Sequence, residues 1–124
     1  MRTARGFTLI ELIVVLTIVA ALAAIVWPRY VGQVEASRDV ILRENLRLTR
    51  LSIDKFHEDL GRFPDSLQEL VDRRYIRTMP VDPVTDRTDT WILLPPPANE
   101  KGQVADLRSG ASGNSRWGIA YADL

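Results

Sequence analysis

Cysteine is absent from the 124 residues and histidine occurs once. A disulfide framework, a thiolate metal site and a Cys nucleophile are thereby excluded, and a lone His57 cannot build a His-based zinc site or a hydrolytic triad with its own second base. An excess of one charge sign is missing too, since 16 Lys and Arg stand against 16 Asp and Glu. Nucleic acid is therefore not expected as a partner, because its binding is dominated by long-range attraction to a basic face. No glycine-rich phosphate-binding loop is present. These absences lean away from an enzyme.

The apolar residues, 46% of the chain, are concentrated near the N-terminus, and the charges fall almost wholly after them. From Phe7 to Trp27 the only charged residue is Glu11. At ~1.5 Å per residue such a helix is roughly 30 Å long, which matches the hydrocarbon core of a bilayer. Arg2 and Arg5 precede it with no acid, so the positive-inside tendency places this end in the cytoplasm and the remainder outside. Trp27 and Tyr30 then serve as interfacial aromatics.

Two readings of this segment compete. A basic start, an apolar stretch and Ala21-Leu22-Ala23 fit a secretory signal released after Ala23, which would leave a soluble secreted binding domain. Glu11 speaks against a discarded signal, because an acid inside a spanning helix is penalised, by ~2.5 to 3.5 kcal/mol near the centre and by less near the end, and a discarded segment has no use for that cost. Ionisable residues in membrane segments are functional candidates when a partner can be named.

The run Arg5-Gly6-Phe7-Thr8-Leu9-Ile10-Glu11 resembles the prepilin signal of the type IV pilin and pseudopilin superfamily, a G-F-T-L-x-E pattern opening an apolar helix. The resemblance implies that a membrane peptidase on the cytoplasmic side cuts between Gly6 and Phe7 and that the same enzyme N-methylates Phe7. It also implies that Glu11 is required for assembly into a filament. Gly6 suits such a site, because without a side chain the backbone extends into a protease cleft. Cleavage creates a cationic amine at Phe7. In a straight helix Phe7 and Glu11 stand an i,i+4 step apart, near the positive end of the macrodipole. Between staggered copies, the Glu11 carboxylate of one can meet the Phe7 amine of the next. Loss of Arg2 and Arg5 leaves a mature chain with two fewer basic than acidic side chains.

Pro28 predicts a kink or local melting, with a helix stop as the simpler alternative. Beyond it, Leu42, Leu46, Thr49, Ile53, Phe56 and Leu60 follow steps of 4, 3, 4, 3 and 4, one face of an amphipathic helix that the rest of the chain must cover. Lys55 and Asp59 pair on the opposite side, and His57, Glu58 and Asp59 read as a solvated face without chemistry. Gly61 ends the helix. Asp65-Ser66-Leu67-Gln68 reads as a cap with Gln at N3, opening a short second helix. Trp91–Leu94 is a strand closed by Pro95-Pro96-Pro97, and Gln103–Leu107 is its pairing partner. Residues 108–115 read as a flexible loop before a last strand or tail at Trp117–Tyr121.

The fold class is thus α+β: a long N-terminal helix packed on a short helix and a small antiparallel sheet. Its divisions are a leader at 1–6, a membrane and filament-core helix at 7–28, and a periplasmic part at 29–124. The stretches D-L-G-R-F-P (Asp59–Pro64) and P-V-D-P (Pro80–Pro83) narrow the resemblance to the major, G-type pseudopilins of type II secretion. That implies a structural subunit of a pseudopilus in the bacterial inner membrane. Its implied partners are further copies of itself, the lipid bilayer, the prepilin peptidase and N-methyltransferase, minor pseudopilins, an assembly platform protein and a secretion ATPase. A type IV pilus subunit is the alternative within the superfamily. The major pseudopilins hold calcium on an acidic C-terminal loop. Here loop 108–115 has no acid, which leaves Asp106 and Asp123 with that loop's carbonyls as candidate ligands, while Asp82, Asp86 and Asp89 read as no more than a turn-rich acidic loop, and the expectation is a chain without metal or other cofactor.

Overall fold

The computed structural model describes residues 6–124, so Met1–Arg5 of the expected leader lie outside the described residues. The residues up to Glu35 form one compact unit and Ala36–Leu124 another.

Helix α1 spans Leu9–Leu60. It begins two residues later than expected, because Thr8 caps it: the Thr8 hydroxyl accepts from Glu11 N at 3.2 Å. Pro28 lies inside α1, so neither a helix stop nor local melting occurs there. At the far end Gly61, at φ +66°, takes the left-handed turn that a side chain would strain, and its N–H reaches His57 O at 2.8 Å. Within the first unit, the apolar side chains from Leu9 to Val34 are exposed all round the helix.

The second unit has a core of its own. Leu42, Leu46, Ile53 and Phe56 of the α1 stripe are buried together with Leu67, Leu70, Trp91, Val104 and Leu107. Thr49 is buried in the same stripe and returns its hydroxyl to Asn45 O at 2.8 Å. Leu60, expected to close the stripe, is 42% exposed, since the chain turns away at Gly61. Lys55 pairs with Asp59 at 2.8 Å on the outer side. His57 departs from the expected solvated face: its ring stacks on Phe63 at 4.2 Å and Nε2 lies 3.2 Å from Glu100 Oε2.

Helix α2, Leu67–Asp72, is capped by Ser66, whose hydroxyl accepts from Glu69 N at 3.2 Å. The cap is therefore one residue later than expected, and Glu69, not Gln68, stands at N3. The Glu69 carboxylate receives Asp65 N at 2.9 Å, Arg73 Nε at 3.0 Å and both Arg62 amino groups. The Arg62 hydrogen bond, against the opposing cost of burial, holds the Glu69 carboxyl below its ordinary value of 4.5. A depressed folded-state pKa contributes stability that is present above the ordinary value and is lost as pH falls through the folded one. The full chain carrying Arg62→Met, melted in detergent, is expected to fall below wild type at neutral pH, with the gap closing as pH drops beneath 4.5. A gap that persists in acid would assign the loss to Arg62 packing over the Phe56 ring at 5.1 Å instead.

Strand β1, Trp91–Leu94, pairs antiparallel with β2, Asp106–Ser109, in the register Trp91↔Ser109 and Leu94↔Asp106. Pairing is shifted toward the C-terminus of the expected Gln103–Leu107, and Arg108 and Ser109 belong to the strand rather than a flexible loop. The shift has a cause. Gln103 N and Val104 N are taken by Pro64 O, both at 3.0 Å, and the ladder begins only after Ala105 N has bonded Leu94 O at 2.8 Å. Just past β2, a Cβ on Gly110 would lie 2.0 Å from Thr90 O, so only glycine permits this close approach. Trp117–Tyr121 is not a strand. The segment has one bridge, Asn114↔Ala120, and ends in a 3-10 turn, Tyr121–Asp123.

Candidate assembly site

Gly6, Phe7 and Thr8 precede α1 without regular structure, and Phe7 is 83% exposed. A Cβ on Gly6 would meet nothing within 4 Å, so the Gly6–Phe7 bond lies on open backbone. Phe7 is not in the helix, and the expected i,i+4 stacking of Phe7 on Glu11 is absent in the uncut chain. Thr8 ends the helix one step short of it, because its side chain has taken the N–H that a further turn would need.

Glu11 therefore stands at N3 of α1, exposed, in the first turn. The unpaired amides of that turn and the macrodipole favour a negative charge there. Thr8 is the residue that sequence reasoning missed. Its signal was present as T-x-x-E at Thr8 to Glu11, the capping-box spacing. Around and after Glu11 the helix exposes Leu9, Ile10, Leu12 and Ile13 on every side. A helix apolar all round is stable only inside lipid or inside a bundle of similar helices. This is the one described helix long and apolar enough to cross a membrane.

The expected metal candidates are engaged elsewhere. Asp106 Oδ1 receives Arg50 Nε and Leu107 N, each at 2.7 Å. Asp123 Oδ1 lies 4.0 Å from Arg108. Asp82 is buried, binding Val84 N at 2.9 Å and the Ser109 hydroxyl, while Asp86 faces Arg38 at 3.7 Å and Asp89 faces Arg87 at 2.6 Å. Among the described residues, no group of three or more His, Asp and Glu is placed to hold a metal ion.

Residues 1–27 match the prokaryotic N-terminal methylation motif. The chain is 32% identical, across 91% of its own length and 89% of the relative's, to type II secretion system core protein G of Klebsiella pneumoniae. No solved structure matches it.

Proposed function

This chain belongs to the family of type II secretion system core protein G and is a structural subunit of a pseudopilus, and from that premise we propose how its N-terminal residues act. Prepilin peptidase cuts the Gly6–Phe7 bond on the cytoplasmic side and methylates the new Phe7 amine. The subunit waits in the inner membrane with residues 7–28 spanning the bilayer and residues 29–124 in the periplasm. It then joins the filament by moving its apolar helix from lipid to the company of other copies, and filament growth drives protein export. The platform protein, the secretion ATPase and the minor pseudopilins act on this step from outside the chain.

The carrying observation is the juxtaposition, within six residues, of an unobstructed Gly6–Phe7 bond and an acid in the first turn of a helix whose apolar surface is exposed all round. The capped N-terminus fits this order of events. Thr8 keeps Phe7 outside the helix, where a peptidase finds it extended and where the amine released there is free to reach another chain. The Phe7 amine and the Glu11 carboxylate neutralise each other between neighbours, so neither charge is stranded in the apolar interior. Pro28 supplies the place where α1 bends or unwinds as the subunit leaves the bilayer, since its ring removes one helical hydrogen bond.

The mature N-terminus tests the scheme directly. Mass spectrometry of the chain purified from cells with an active prepilin peptidase is expected to find N-methylated Phe7. A terminus at Ala24 would mean signal-peptidase release, and retention of Met1 through Gly6 would remove the amine on which assembly depends.

A further inference from the structure

Arg50 lies on α1 beside the buried Thr49 and one turn from Leu46 and Ile53, where α1 faces the C-terminal residues. Its Nε donates to Asp106 Oδ1 at 2.7 Å, and its Nη2 donates to Leu107 O at 3.0 Å and to the main-chain oxygen of Leu124 at 2.8 Å. One planar cation thus gathers three oxygens from two segments, β2 and the residues after the 3-10 turn, that are 56 to 74 positions away in sequence. Three turns earlier on the same helix, buried Asp39 takes Tyr121 Oη at 2.8 Å and Arg116 N. The C-terminal segment is therefore held to α1 by the Asp39 carboxyl, by Arg43 over the Trp117 ring at 4.8 Å, and by the Arg50 guanidinium.

A calcium ion at the same place would need six to eight oxygens, several of them carboxylates. The donors present are one side-chain carboxylate, Asp106, and the main-chain oxygens of Leu107 and Leu124, and all three already face a permanent positive charge. Asp123 is set against Arg108, and residues 108–115 hold neither Asp nor Glu. The residues do not fit a metal ion.

We propose that Arg50 is the resident cation of this fold: its guanidinium cross-links β2 and Leu124 to α1, and the attachment of the C-terminal segment is independent of calcium. The chemistry is well matched. A guanidinium carries its charge at every physiological pH and aims its donors in a fixed plane, so it joins a side-chain carboxylate and main-chain oxygens at defined angles without competition from chelators.

The full chain in detergent micelles, melted while near-ultraviolet circular dichroism is followed, gives the test. Wild-type curves in millimolar calcium and in excess chelator are expected to coincide. Arg50→Met, which keeps the stem and removes the charge, is expected to melt about 5 °C lower in both media. Arg50→Lys is expected to recover only part of that, because a point charge cannot span three acceptors. Asp106→Asn added to Arg50→Met is expected to lower the melt little further, since the pair is already broken. A rise of several degrees in the wild-type melt on adding calcium overturns the proposal, and so does an Arg50→Met chain that melts with wild type. If Arg50→Met fails to fold, the wild-type comparison and the lysine variant still decide.

Discussion

Glu11→Val is expected to give a chain that is still cut, methylated and inserted, yet builds no filament. Valine removes the single charge from an apolar stretch, so insertion becomes easier, and the Gly6–Phe7 bond is untouched. The loss falls on the encounter between copies. Breaking one side of a buried ion pair costs ~3 to 5 kcal/mol, because the remaining amine is carried unpaired into the apolar interior, and the cost recurs at every added subunit. At ~1.4 kcal/mol per tenfold, that is a factor of 10² or more in the affinity of each addition, enough to stop growth. Glu11→Gln separates charge from hydrogen bonding, since an amide accepts a hydrogen bond from the amine but does not neutralise it. It is expected to assemble poorly, and Glu11→Asp to assemble in part, its carboxylate being one methylene short. Sedimentation of filaments sheared from cells, with the methylation state of the cell-bound chain as control, reads all three. Normal filaments from Glu11→Val would refute the pairing, whereas unmethylated Glu11→Val would move the role of Glu11 to the processing enzyme.

The valine result also bears on the cap. Thr8 accepts from Glu11 N, a main-chain group, so the helix start survives the substitution. A loss of assembly in Glu11→Val is then a loss of the carboxylate rather than of the first turn, and circular dichroism of the variant should show unchanged helix content.

The elements that one side chain's neighbours in sequence determine were legible. The stripe of Leu42, Leu46, Thr49, Ile53 and Phe56 is buried as its spacing requires, and Trp91–Leu94 is a strand closed by prolines. The acid at Glu11 stood out because a charge within an apolar run has a known cost. What escaped depends on distant partners. β2 is displaced toward Ser109 because Pro64 O captures Gln103 N and Val104 N, and nothing local to Gln103 announces a carbonyl from a segment that far back. Asp39 and Arg50 look in sequence like ordinary members of a solvated helical face. They are buried or half-buried only because residues 106 to 124 fold back on them. The α2 cap falls at Ser66, one residue past Asp65, since both are good caps and Glu69 decides between them by reaching Asp65 N.

Phe56→Ala is expected to be the most destabilising single change in the Ala36–Leu124 unit. The ring is fully buried, with Tyr75 tilted on it at 5.2 Å and Arg62 and Arg73 above it at 5.1 and 5.9 Å. Truncation removes its transfer energy and leaves a cavity that the surrounding side chains fill only in part, at a cost of ~3 to 5 kcal/mol. Against a total of ~5 to 15 kcal/mol this is a large fraction. For a unit of this size it corresponds to a melting point lowered by at least about 12 °C. Leu60→Ala is the control. It continues the same spacing but is exposed, and its cost should stay within ~0.5 kcal/mol. Urea titration of both variants in detergent checks the contrast through a lowered midpoint at constant slope for Phe56→Ala alone. Similar losses at Phe56 and Leu60 would mean that the stripe is covered along its whole length in the assembled or membrane-bound subunit, and that Leu60 meets a partner surface there. Because Gly6, Phe7 and Glu11 lie in the other unit, Phe56→Ala should still be cut and methylated. A processed but unfolded subunit would place the requirement for a folded C-terminal unit at filament addition rather than at the peptidase.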